Sequence, residues 1–166
     1  MTICANIFKL KQEIQSAEKH FHRELDSVKL LAVTKRRSID DIREAISCGQ
    51  TCFGESYLQE AIPKIEALKD ALIEWHFIGP IQSNKTKLIA RYFDWVQSVD
   101  RIKIAERLHE ARLSDMPCLN VCIEVNINQE SSKAGAAPAD VFTLAQKIIS
   151  LSNLKLRGLM AIPRAT

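Results

Sequence analysis

The chain has 166 residues, 46% hydrophobic and 26% charged, a length and balance that suit one globular domain with a real core and exclude a disordered or fibrous polymer. Its net charge is +3, with lysine and arginine dispersed rather than gathered on one face, which argues against a nucleic-acid-binding surface. No apolar run reaches membrane-spanning length, and Met1 to Leu10 lacks the charged start and long apolar core of a signal peptide, so a cytoplasmic location is expected.

Apolar residues recur every three or four positions at Ile7, Leu10, Ile14, Ala17, Phe21 and Leu25, predicting a long amphipathic helix over Ala5 to Asp26. Leu30 to Val33 is then continuously apolar and reads as a strand, Lys29 to Thr34, buried on both faces as in a parallel sheet covered by helices. Lys35 ends it. Ser38 with Asp41 resembles a capping box for a helix whose stripe is Ile39, Ile42, Ala45 and Ile46, closed by Gly49. The same pattern repeats. Thr51 to Glu55 is a strand, and Ser56 with Gln59 is expected to cap a helix carrying Ala61, Ile62, Ile65 and Leu68, bent early by Pro63. Glu74 to Ile78 is a third strand, followed by Gly79-Pro80 and a helix from Ser83 to about Tyr92; Trp95 to Val99 is a fourth, with Asp100 expected to cap the next helix. Cys118 to Ile127 is the fifth strand, Pro138 opens a helix through Ile148, and Leu154 to Ile162 is the sixth strand.

Strict alternation of strand and helix implies right-handed crossovers and a parallel sheet. Without a Gly-x-Gly-x-x-Gly or Walker loop, and with five glycines in all, a dinucleotide-binding sheet is disfavoured. A TIM-type (β/α)8 barrel fits better, as a single domain over 1–166 that supplies about six βα units after an N-terminal helix and lacks the last two. Five cysteines, at 4, 48, 52, 118 and 122, form no CxxC and no pair with a histidine at zinc-finger spacing. Reduced, mostly buried thiols are expected.

In a barrel the carboxyl ends of the strands share one mouth, which would gather Lys35, Glu55, Ser56, Gly79, Asp100, Asn126 and Met160. No carboxylate pair, Ser/His/Asp order or HExxH helix appears among them, so hydrolytic and metal chemistry have no evident machinery. Lys35 is the candidate nucleophile, an amine able to form an imine with an aldehyde.

AVTK (32–35), GESYLQE (54–60), WHFIGPIQSNK (75–85), SVDR (98–101), IEVNINQESSKAG (123–135) and RGLMAIP (157–163) together resemble the pyridoxal phosphate homeostasis protein family, from about Val28 to Pro163. The resemblance implies the barrel of the alanine racemase N-terminal domain and pyridoxal 5'-phosphate held as a Schiff base on Lys35. It further implies a role in cofactor homeostasis without catalysis and transfer to recipient apo-enzymes. A pyridoxal-phosphate-dependent racemase or decarboxylase relative, or an inactive fragment acting through protein contacts, is the alternative. Ser56 stands where the family carries asparagine, His76 lies in the HFIGP block, and Met160 in Gly-Leu-Met is placed to pack beside the ring. Lys133 matches a loop lysine of secondary cofactor contact, and Arg37 stands where relatives carry a second lysine. The family's phosphate loops follow two further βα units, so weak cofactor retention and self-association through open barrel edges are expected.

Overall fold

The computed structural model describes residues 2–128 and 134–163; Lys133 lies outside them. Thr2 caps α1 (Ile3–His20) by accepting the amide of Ala5. The helix stops short of the expected Asp26 because the chain must reverse: His22 and Asp26 adopt positive φ. Glu18, buried at 1% exposure, accepts from the amides of Asp26 (3.0 Å) and Val28 (2.7 Å) and the hydroxyl of Ser27 (3.3 Å). The Glu18 carboxylate, from within α1, thus gathers the backbone of the segment where further helix was expected.

The remaining elements follow as β1 (Ala32–Val33), α2 (Ile39–Ser47), β2 (Cys52–Glu55), α3 (Leu58–Ala67), β3 (Glu74–Phe77), α4 (Thr86–Tyr92), β4 (Trp95–Val99), α5 (Ile102–Ala111), β5 (Leu119–Glu124), α6 (Val141–Ile149) and β6 (Leu154–Met160). Short 3-10 turns, Ser83–Lys85 and Pro138–Asp140, lead into α4 and α6. The six strands form one sheet in sequential order, every pair parallel. Sequential parallel strands joined through helices are the winding of a (β/α)8 barrel.

Register separates the two faces. Phe77 pairs with Val96 and Val96 with Val121 on the face covered by helices; with Phe53, Ile42, Ala61, Ile89, Ile104, Leu108 and Ile148 they form the apolar core. His76, Trp95 and Asn120 align on the other, inner face.

Several local expectations are corrected. The first strand is two residues long and not buried on both faces: β1 is a sheet edge, and Val33 is 47% exposed. The Ser38–Asp41 capping box forms as read. The N-cap of α3, however, is Tyr57 without a side-chain bond. Asp100 does not cap α5; its carboxylate holds the guanidinium of Arg101 at 2.7 Å. Cys4 and Cys48 are joined by a disulfide linking α1 to the end of α2, and of the free cysteines only Cys52 is buried.

The end of β1 is fixed from beneath. Lys64, on the inward side of α3, donates to the Thr34 carbonyl (2.8 Å) and to Glu55 Oε1 (2.6 Å), and the Thr34 hydroxyl donates to the same carboxylate oxygen (2.7 Å). One turn back on α3, Glu60 Oε2 accepts the Arg36 amide at 2.9 Å, where Arg36 adopts φ of 60°. Lys35 is therefore held on both sides by backbone contacts to one helix. Removing one partner of a buried ion pair strands the other charge, and Glu55 is wholly buried. Lys64→Met is expected to cost about 3–5 kcal/mol in urea unfolding, with part recovered in Lys64→Met/Glu55→Gln; a loss below about 1 kcal/mol would show the pair to be dispensable.

Candidate site at the carboxyl ends of the strands

Lys35 sits in the turn after β1 and is exposed, although the strand it follows was expected to be buried on both faces. Arg36 and Arg37 share that exposure. Ser56 follows β2, and Gly79 follows β3 so closely that a Cβ there would strike the Ser56 carbonyl oxygen; glycine is required to bring those two strand ends together. Ser56 lines a cavity of about 260 Å³ with Tyr57, Gln82 and Lys85.

A second cavity, of about 300 Å³, is lined by Ile78, Pro80, Glu124, Val125, Asn126 and Ile162. Glu124 borders it with a carboxyl raised above its usual range, first by burial and then by the charge of Asp100. Met160 pairs with Glu124 in register, and its carbonyl accepts the Val125 amide at 2.8 Å. The mouth thus gathers Ser56 and Gly79, and Glu124, Asn126 and Met160. Lys35 follows one sheet edge whereas Met160 ends the other, so sheet order does not make them neighbours.

His76 lies deeper, on the inner face, 6% exposed. Its ring stacks on Trp95 with centroids 5.1 Å apart, Nδ1 is 3.0 Å from Gln97 Nε2, and Nε2 points toward Glu74 at 3.8 Å. Desolvation pushes the imidazole down to about 4, partly opposed by Glu74. Beyond Trp95, Arg157 lies 5.5 Å over the indole and donates to Asn120 Oδ1 at 2.7 Å. This inner polar band went unread in the sequence because it depends on register between strands. Lys64 carried a signal: it stands three residues after Ala61 and four before Leu68, on an otherwise apolar stripe.

The family model for the alanine racemase N-terminal domain matches residues 6–165. A pyridoxal phosphate homeostasis protein of Pasteurella multocida is 51% identical over 168 aligned residues, covering all of this chain and 72% of the relative. Two solved structures are similar: an unknown protein of Bifidobacterium adolescentis, with TM-score 0.89 and 36% identity over 96% of this chain and 69% of the other, and PipY of Synechococcus elongatus with PLP bound, with TM-score 0.82 and 33% identity over 98% and 71%.

The depressed His76 value has a pH consequence. Because the folded protein resists protonating this ring while the unfolded chain takes up the proton near 6.5, its contribution to stability is complete above about 6.5 and is lost progressively as pH falls toward about 4. Unfolding midpoints across that window should fall with pH less steeply in His76→Gln than in the wild type. Parallel slopes would mean that other groups govern acid unfolding.

Proposed function

Because this chain belongs to the pyridoxal phosphate homeostasis protein family, with the alanine racemase N-terminal-domain fold, we propose that it binds pyridoxal 5'-phosphate and keeps it for recipient apo-enzymes without catalysis of its own. The observation that carries this reading is Lys35: a primary amine at the carboxyl end of a strand, on a turn pinned by Thr34 and Arg36 to α3, with no hydrogen-bond or ion-pair partner among the described residues. When bound, the cofactor supplies an aldehyde that condenses with such an amine. The residues fit that demand: the amine is accessible, its backbone is fixed, and the cavity bordered by Ile78, Val125 and Ile162 offers apolar walls at the same end of the sheet.

Ser56 and Met160 flank the mouth from β2 and β6, and Arg36 and Arg37 bring positive charge for a phosphate dianion. His76, with its nitrogens directed at Gln97 and Glu74, lies behind this contact set. A cytoplasmic location accords with the reading; among the described residues no helix is long and apolar enough to cross a membrane.

Incubation with the cofactor, borohydride reduction and peptide mapping should place the pyridoxyl group on Lys35, and Lys35→Ala should abolish the visible absorbance. Modification of scattered surface lysines with Lys35 untouched would overturn the assignment. Racemisation of alanine by the loaded protein would overturn the non-catalytic reading while leaving Lys35 in place.

The two edge strands carry a second expectation. Val33 on β1 and Leu159 on β6 are 47% and 64% exposed, beside ladder groups that no further strand pairs among the described residues. Self-association through these edges should appear as a sedimentation coefficient that rises with concentration. A constant monomer value would refute it.

A further inference from the structure

The geometry points to a divalent-cation site of the zinc class formed by Cys52, Glu74 and His76 on the inner face of the sheet, at the end away from Lys35. Cys52 and Glu74 are the first residues of β2 and β3 and partners in register, and Gly54 pairs with His76 one step on. Alternation therefore places all three side chains on one face. One donor atom from each lies within 4.8 Å of the others. Cys52 Sγ is 3.4 Å and His76 Nε2 is 3.8 Å from Glu74 Oε2. Ligands at about 2.3 Å (sulfur) and about 2.0–2.2 Å (nitrogen, oxygen) around a tetrahedral ion stand about 3.3–3.5 Å apart. The two distances to Glu74 come within about half an ångström of that arrangement, and the third side of the triangle, Cys52 to His76, lies within 4.8 Å.

A second observation is independent of the spacing. His76 Nε2 is buried with no hydrogen-bond partner, and its approach to Glu74 is too long for a hydrogen bond. Its orientation is nevertheless fixed, by the stack on Trp95 and by Gln97 at Nδ1. As placed, the Gln97 amide nitrogen donates to Nδ1 and the ring proton lies on Nε2; an ion at Nε2 requires the Gln97 amide to turn over, so that its oxygen accepts from a protonated Nδ1 and Nε2 offers its lone pair. The unsatisfied nitrogen and the donor geometry describe the same vacant corner.

The donor set selects the ion. One thiolate, one imidazole and one carboxylate suit borderline zinc over magnesium or calcium, which take oxygen ligands. Binding forms three coordinate bonds and releases the Cys52 thiol proton to solvent, leaving two ligand charges against the dication. Lys29, near enough to influence both Cys52 and His76, is the cation the site must tolerate. Cys52 also lines a cavity of about 240 Å³ with Lys11, Gln15, Asp26, Lys29 and Gln50, which gives an ion a path beneath α1. The Glu74 side chain is 44% exposed, leaving the fourth position to water. Such an ion would cross-link β2 and β3 at the end of the sheet opposite the mouth, so this inference stands whether or not Lys35 holds a cofactor.

Cobalt(II) is the probe. Chelator-treated protein titrated with cobalt chloride should bind one equivalent, show sulfur-to-cobalt charge-transfer absorption, and lose that absorption on adding zinc chloride. Cys52→Ser should abolish the band and weaken zinc binding by at least about 100-fold. Glu74→Gln should keep the band with affinity lowered by about 10–100-fold, and Cys118→Ser, removing an exposed thiol, should change nothing. If Cys52→Ser does not fold, the zinc-dependent rise in unfolding temperature decides: present in the wild type and reduced in Glu74→Gln, it supports the site; absent in the wild type or unchanged in Glu74→Gln, it overturns it. A band lost in Cys118→Ser, or zinc affinity in Cys52→Ser within about three-fold of wild type, also overturns it.

Discussion

Lys64 Nζ, 2.6 Å from a wholly buried Glu55 and 2.8 Å from the Thr34 carbonyl, ties the weakest strand of the sheet to the helix beside it. With two residues in its ladder, β1 has little pairing of its own, and as an edge it has one neighbour. A buried ion pair is a poor source of net stability, because desolvating both charges offsets most of their attraction. Its value here is positional: an apolar pair of equal volume would fill the space without fixing the Thr34 carbonyl. The Glu55 carbonyl also accepts the Ile78 amide at 2.9 Å, so one residue joins the ends of three strands, while Glu55 Oε2 keeps no partner.

The rhythm of the fold was legible because each strand is apolar and each helix carries one apolar stripe; β4 was read at both ends. Composition does not reveal which strand becomes an edge, and β1 was misread for that reason. Capping shows the same limit. Ser38 caps α2 as read, yet Ser56 and Asp100, equally good residue types, do not cap, because Asp100 finds an adjacent guanidinium and the β2–α3 turn closes through backbone, with the Tyr57 carbonyl accepting from Glu60 and Ala61. The Cys4–Cys48 link, 44 residues apart, leaves no local trace.

The candidate site divides along similar lines. The place of Lys35, in the turn just past β1, was legible because the apolar run ends there. Its support was not, since Glu60 and Lys64 belong to a helix whose docking depends on the whole sheet. The inner face was harder still: Cys52, Glu74, His76, Gln97 and Trp95 lie on three strands, and a slip of one residue in either pairing would disperse them. The inner face is mixed, with His76, Gln97 and Asn120 beside Trp95, whereas Phe53, Phe77, Val96 and Val121 face the helices.

Arg36, with φ of 60° immediately after Lys35, occupies a backbone region that costs a non-glycine residue about 1–2 kcal/mol. The amide bond to Glu60 keeps it there. Conformational strain is therefore stored one peptide from the Lys35 amine, and Arg36→Gly would relax it. Such a variant would exchange that strain for a larger loss of chain entropy on folding and would be freer at Lys35, because glycine also admits turns in which the amine points elsewhere. A costly torsion angle at this position narrows the directions in which the lysine can leave the strand.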